Sequence, residues 1–160
     1  MSGFKVSKVA AVCPVFLEFN GYERVRDYLL QCSRLIDFGF RKDSAYKAGG
    51  TLREAFLRVI LGNRYLNPDT EVLQEPEAQV LDTLKEWVFD LRQVSRKTQS
   101  VLVSNIDFHI LRRRFFTTES GLIGFGPSNM TPGDEVWILF GGIMNGEAVV
   151  NGVEKRIWLN

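Results

Sequence analysis

Histidine occurs once in this 160-residue chain, at His109, and cysteine twice, at Cys13 and Cys32. A single imidazole excludes His-pair chemistry and His-rich metal centres, and two thiols cannot supply a four-ligand zinc site. Their separation matches no redox-pair motif. Charge of one sign is missing too: 20 Lys and Arg stand against 19 Asp and Glu. The formal net charge of +1 exerts no overall pull toward nucleic acid or anionic lipid. No apolar run approaches the roughly 20 residues that a membrane-crossing helix needs. Lys5, Ser7 and Lys8 break the apolar character of the segment from Met1 to Val12, and no long uncharged run follows, so no targeting segment is read there. The expected location is intracellular, in the cytoplasm, where both thiols stay reduced.

What is present is ordinary globular material. Hydrophobic residues make up 45% and charged residues 24%, which argues against a mostly disordered chain. A domain of this size buries roughly 70% of its unfolded surface and needs no metal or disulfide to hold it. Phe4, Val6 and Lys8 alternate with Lys5, Ser7 and Val9 before Cys13-Pro14, which predicts a short, partly exposed edge strand. Asn20 with Glu23 has capping-box spacing. Tyr22, Val25, Tyr28, Leu29, Cys32, Leu35 and Ile36 then recur at helical steps up to Gly39, and Cys32 inside that stripe reads as a buried, inert thiol.

Thr51 with Glu54 predicts a second capped helix, apolar along Leu52, Ala55, Phe56, Val59 and Ile60 and stopped at Gly62-Asn63. A polar connection follows over 67–74. Pro76 suits the first turn of a third helix whose face runs from Val80 to Val94. The segment 101–111 reads as helix entering Arg112-Arg113-Arg114. Beyond it, short β-rich runs appear at 115–118, 122–125, 136–140 and 153–159, with turns at Pro132-Gly133-Asp134 and Asn151-Gly152. The expected fold class is α+β: N-terminal amphipathic helices over 1–111, packed with a small C-terminal antiparallel sheet or partial barrel over 112–160, with one core shared between them. No internal repeat or low-complexity tract is present.

Few residues invite a chemical role. Gly121, Gly124 and Gly126 have the reverse of the dinucleotide-binding spacing, and no helix follows them to aim amides at a phosphate. Asp107 and His109 could orient one another, with Ser104, Ser120 or Ser128 as nucleophile, but no nucleophile-elbow motif accompanies them. A small hydrolase or nucleotide-binding domain built on the 121–126 loop and His109 is thus the alternative reading. The leading one has no catalytic, metal or cofactor site. Arg112, Arg113 and Arg114 followed by Phe115 and Phe116 form the candidate interaction segment, directed at a protein and not at nucleic acid or a membrane.

The residues from Arg113 to Pro127, then Pro132-Gly133-Asp134 and Ile138-Leu139-Phe140-Gly141-Gly142, together with Gly142-Ile143-Met144-Asn145-Gly146-Glu147-Ala148, resemble the C-terminal region of fungal heterokaryon incompatibility (HET) domain proteins. Glu54-Ala55-Phe56-Leu57-Arg58 fits the preceding helical region of that family more loosely. The family's N-terminal HET block, of the type Ala-Leu-Ser-Tyr-x-Trp-Gly, does not occur here. In relatives some tens of residues separate the Leu-Phe-Gly-Gly strand from the Gly-Ile-Met motif, whereas here Gly142 joins Ile143 directly: either a hairpin is lost or coding sequence is skipped. The resemblance implies a non-enzymatic module or fragment of a non-self-recognition, cell-death protein. Such a module acts by protein–protein or intramolecular regulatory contacts with a HET-type or other intracellular domain.

Overall fold

Apolar alternation at the start of the chain builds a strand, and the later strands assemble on both of its sides. The structure is a computed structural model and describes residues 3–90, 93–139, 147–150, 153–156 and 158–159. Strand β1 (Gly3–Val12) lies in the middle of a seven-stranded antiparallel sheet, so the expected edge strand is corrected to a central one. Its first half pairs with the residues later in the chain that form Glu135–Leu139, from Gly3↔Leu139 to Lys8↔Glu135. Its second half pairs with Arg113–Thr118, from Val9↔Thr118 to Val12↔Phe116. The register shifts between Lys5 and Ser7 and again between Val9 and Ala11. Each shift bends the strand and raises its twist, which lets it leave one partner for the other. The polar residues that suggested a rim lie on the sheet's wet face, where Lys5 Nζ meets Glu135 Oε1 at 2.5 Å.

Helices fill the chain between β1 and its second partner. α1 (Tyr22–Leu35) starts at Gly21, whose φ of 99° places it in the left-handed region, without a side-chain cap. The predicted Asn20 box does not form, because the cap falls one residue later at Gly21; Asn20 Nδ2 donates to Glu18 Oε1 at 2.8 Å. α1 also stops before Gly39: Asp37 turns left-handed and a single turn, α2 (Phe38–Arg41), follows. α3 (Leu52–Ile60) is capped as expected by Thr51, whose hydroxyl accepts from Glu54 N at 3.2 Å. It ends in left-handed Gly62 and Asn63, which the stop signal anticipated.

The connection over 67–74 is a tight ribbon, not a plain loop: β2 (Tyr65–Leu66) pairs with β3 (Leu73–Gln74). α4 (Ala78–Phe89) begins two residues after Pro76 and ends at Phe89, short of Val94, and α5 (Arg96–Ile110) starts behind a Ser95 cap. β4 (Arg113–Thr118), β5 (Ile123–Pro127), β6 (Glu135–Leu139), β7 (Glu147–Val150), β8 (Val153–Arg156) and β9 (Trp158–Leu159) complete the order β8-β7-β6-β1-β4-β5-β9. β7 and β8 form the expected hairpin, with Val150 opposite Val153; Asn151 and Gly152 themselves lie outside the described residues, as does the Gly142–Ile143 junction. The single predicted strand over 153–159 is two strands. They occupy opposite ends of the sheet order yet are separated in the chain by one residue, so the sheet curls until its ends approach, as a partial barrel wall.

The fold is therefore α+β, with a helical layer packed against a curled antiparallel sheet. Leu29, Phe56, Leu84 and Ile106 from the helices share one core with Phe115, Ile123 and Phe125 from the sheet. Phe56 stands at its centre, edge-on to Phe115 with ring centroids 5.6 Å apart and tilted against Phe38 at 5.2 Å. Because side chains alternate along a strand, Phe116 points the other way, into a smaller cluster with Val9, Met130 and Val136. Gly126 admits Met130 to that cluster, since a Cβ there would collide with the Met130 thioether. Truncating Phe56 to Ala should cost about 3–5 kcal/mol in urea unfolding, as expected for a fully buried aromatic. Phe40→Ala, at a side chain 98% exposed, should stay within about 0.5 kcal/mol of the parent.

Candidate functional site

The Arg112–Phe116 run is divided by the strand it enters. Phe115 and Phe116 are fully buried, which removes them from any surface and corrects their assignment to an interaction segment. Arg114 is turned inward as well: its Nε donates to the Cys13 carbonyl at 2.8 Å and its Nη1 to the Met130 carbonyl at 3.0 Å. It ties β4 to the end of β1 and to the turn after β5. Arg113 is half-buried. Only Arg112 stands out, exposed at the junction of α5 and β4 with a left-handed φ of 56°. Its amide donates to the Phe16 carbonyl at 2.7 Å, and Phe16 N donates to the Arg113 carbonyl at 3.2 Å, which fixes the segment after β1 against this junction.

Exposed apolar side chains occur on the elements that meet at Arg112. Phe108 on α5 is 79% exposed and Leu17, next to the anchored Phe16, is 71% exposed. Leu111, at the C-terminal cap of α5, is partly open as well. One turn before Phe108, the Asn105 side chain holds the β2–β3 ribbon: Oδ1 accepts from Leu66 N at 2.7 Å while Nδ2 reaches Leu66 O at 3.5 Å. Leu66 and Leu73 are opposite one another in that ribbon, on one face, and both are about half exposed. A cleft of about 270 Å³ indents the same side, lined by Tyr65, Asp69, Gln79, Thr83, Lys97 and neighbouring residues. A second cleft, of about 250 Å³, lies over Gly49, Gly50, Glu54 and Arg58.

Sequence reasoning missed Phe108. The signal for it was available in the helical periodicity: Leu102, Val103, Ile106, His109 and Ile110 make the buried stripe of α5, and Phe108 falls off it. The ribbon was missed because its strands are two residues long.

The groups considered for catalysis are dispersed. Gly124 and Gly126 belong to β5 and pair with Phe116 and Arg114, so the glycine run is a laddered strand that aims no amides at a phosphate. His109 is buried on α5 and its ring fills the space that a Cβ at Gly62 would occupy. Asp107, two residues away on a different face of the helix, has a buried Oδ1 without a hydrogen-bond partner, and desolvation raises its pKa. Ser104 and Ser128 are exposed, and Ser120 hydrogen-bonds Thr118 Oγ1 at 3.1 Å and takes part in a turn. Neither cleft is lined by His109 or Asp107. Among the described residues no group of three or more His, Cys, Asp or Glu side chains could hold a metal ion, and no helix is long and apolar enough to cross a membrane. Cys32 is fully buried, as its place in the α1 stripe implied.

The chain matches no family model, no curated protein and no solved structure.

Burial, with the guanidiniums of Arg113 and Arg64 nearby, pushes the His109 pKa down to about 4. The unfolded chain titrates this group near its ordinary value of about 6.5, so between those two pH values it binds a proton that the fold refuses. Stability contributed by neutral His109 should thus fall as pH drops from about 6.5 toward 4. Urea midpoints measured from pH 7 to pH 5 should decline more steeply for the parent than for His109→Gln. Gly62→Ala, which combines a positive φ with a collision against the His109 ring, should lower the unfolding free energy at every pH, by more than about 1 kcal/mol.

Proposed function

We propose that this chain is a non-catalytic interaction module of the heterokaryon incompatibility kind, which works by docking onto another protein domain. The observation that carries this reading is the set of exposed apolar side chains on the elements that meet at Arg112: Phe108 on α5, Leu111 at its cap, and Leu17 next to the Phe16 that the Arg112–Arg113 backbone holds. Exposed aromatic and aliphatic side chains beside an arginine have the composition of a binding hot spot. The resemblance of 113–148 to the C-terminal region of HET proteins supplies the class of partner: a HET-type or other intracellular domain. Docking there would restrain or report on that domain during non-self recognition and cell death.

The scaffold suits the role. Asn105 pins the ribbon to α5, and the Phe16–Arg112 backbone pair pins the segment after β1, so the surface is held by rigid elements. A preorganised face loses little conformational freedom on binding.

The test is a direct titration against the HET domain of a full-length family member by calorimetry. Phe108→Ser should weaken binding by about tenfold or more, as expected for a central aromatic. Phe40→Ser, at an exposed aromatic on α2, should leave it unchanged. Absence of binding to several such domains would overturn the reading, as would a Phe108→Ser chain that binds like the parent.

A further inference from the structure

The cleft of about 270 Å³ forms where three elements meet: the ribbon turn brings Asp69 to it, α4 brings Val80, and the first turns of α5 bring Lys97 and Val101. Asp69 sits on a stiff turn. Asn67 Oδ1 accepts from Asp69 N at 2.9 Å and from Thr70 N at 3.4 Å, and Asn67 N donates to the Val72 carbonyl at 3.0 Å. The hydroxyls that line the cleft are committed to their own helices. Thr83 Oγ1 donates to the Gln79 carbonyl at 2.8 Å, and Thr98 Oγ1 shares a 2.8 Å hydrogen bond with Ser95 Oγ. Asp69 and Lys97 are not committed: both are exposed, and neither forms an ion pair with the other or with another described side chain. Lys97 also breaks a local rule. The first turn of α5 carries no acidic residue but has Arg96 and Lys97, at the end of the helix dipole that favours anions. Uncompensated breaks of this kind are expected at functional positions.

We propose that this cleft binds a free aliphatic α-amino acid, with its ammonium on Asp69, its carboxylate on Lys97 at the start of α5, and its side chain against Val80 and Val101. Opposite charges on different walls of one small cleft, left unjoined, match a ligand that carries both. A simple anion would meet repulsion from Asp69, and a simple cation would meet it from Lys97. The apolar floor belongs to the core: Leu102 is fully buried and Val80 packs against the helical cluster. Size points the same way, since pockets for drug-sized ligands run from roughly 300 to 1,000 Å³ and this one is smaller. Burial, and then the Asp69 charge, raise the Tyr65 pKa, so the phenol stays protonated near that carboxylate. Both charges stand at the rim, where water screens them, which sets the expected Kd at about 1 mM. Binding there is independent of the proposed docking.

The experiment is an NMR titration of the isotope-labelled full chain, reading amide shifts, with L-leucine, leucinamide and N-acetyl-leucine as probes. Leucine should give saturable shifts centred on the residues that line the cleft. Leucinamide lacks the carboxylate and N-acetyl-leucine lacks the ammonium, so each should bind about fivefold more weakly. Two variants sort the charges. Asp69→Asn should weaken leucine by about the same factor and leave N-acetyl-leucine unweakened, whereas Lys97→Met should weaken leucine and leave leucinamide unweakened. A general disturbance of the fold would weaken all three probes together. Absence of saturable shifts up to about 20 mM leucine, shifts centred away from the cleft, or derivatives that bind the parent chain as well as leucine does would each overturn the proposal. The parent-chain comparison of the three probes stands whether or not either variant folds.

Discussion

The strand at the start of the chain can pair only with residues that come more than half a domain later, and the remaining elements are placed by that requirement. Lys5 and Glu135 face each other across 130 residues of sequence. Between them the chain must lay down its helical layer and return as β4 before β1 has a neighbour on either side. β1 meets this by dividing itself, with one half for β6 and the other for β4 and a bulge within each half. Those bulges supply the bend that curls the sheet. A fold so dependent on distant pairing is intrinsically slow to form, because loop closure must precede any reward from contacts.

The far end of β1 is where the layers are joined. Beyond Val12 the backbone no longer belongs to a ladder, yet its polar groups are paired: Cys13 N with Phe115, Cys13 O with Arg114, Pro14 O with Tyr28, and both polar groups of Phe16 with the Arg112–Arg113 backbone. Buried polar groups left unpaired would each cost about 1–3 kcal/mol, so this concentration of bonds is what allows an irregular segment to join the two layers. It explains why Arg114 points inward. It also fixes Phe16, and with it the exposed Leu17, against the Arg112–Arg113 backbone at the end of α5.

The legibility of this fold in its sequence varied with the range of the forces involved. The α3 cap and stop, the face of α4, β4 to β6 and the β7–β8 hairpin follow from local chemistry: a hydroxyl three residues before an amide, glycine where φ is positive, alternation against a sheet. The centrality of β1 does not, since alternation says that one face is wet and not how many neighbours a strand has. Asn20 shows a local rule overridden, its side chain taken by Glu18 while Gly21 supplies the turn into α1. The arginine–phenylalanine segment was visible as a cluster, but the period-2 geometry of a strand sends its members to different places. Phe108 was legible as the aromatic off the buried stripe of α5, a signal the sequence reading did not use.

Removing residues 1–12 tests most directly whether β1 holds both layers together. Far-UV circular dichroism and urea unfolding of the shortened chain, compared with the full one, separate the two possibilities. Loss of the cooperative transition, with the helical signal falling along with the sheet, is the result this account predicts. A shortened chain that keeps the parent's helical signal and a sharp transition would contradict it, and would mean that the helical layer folds without the sheet.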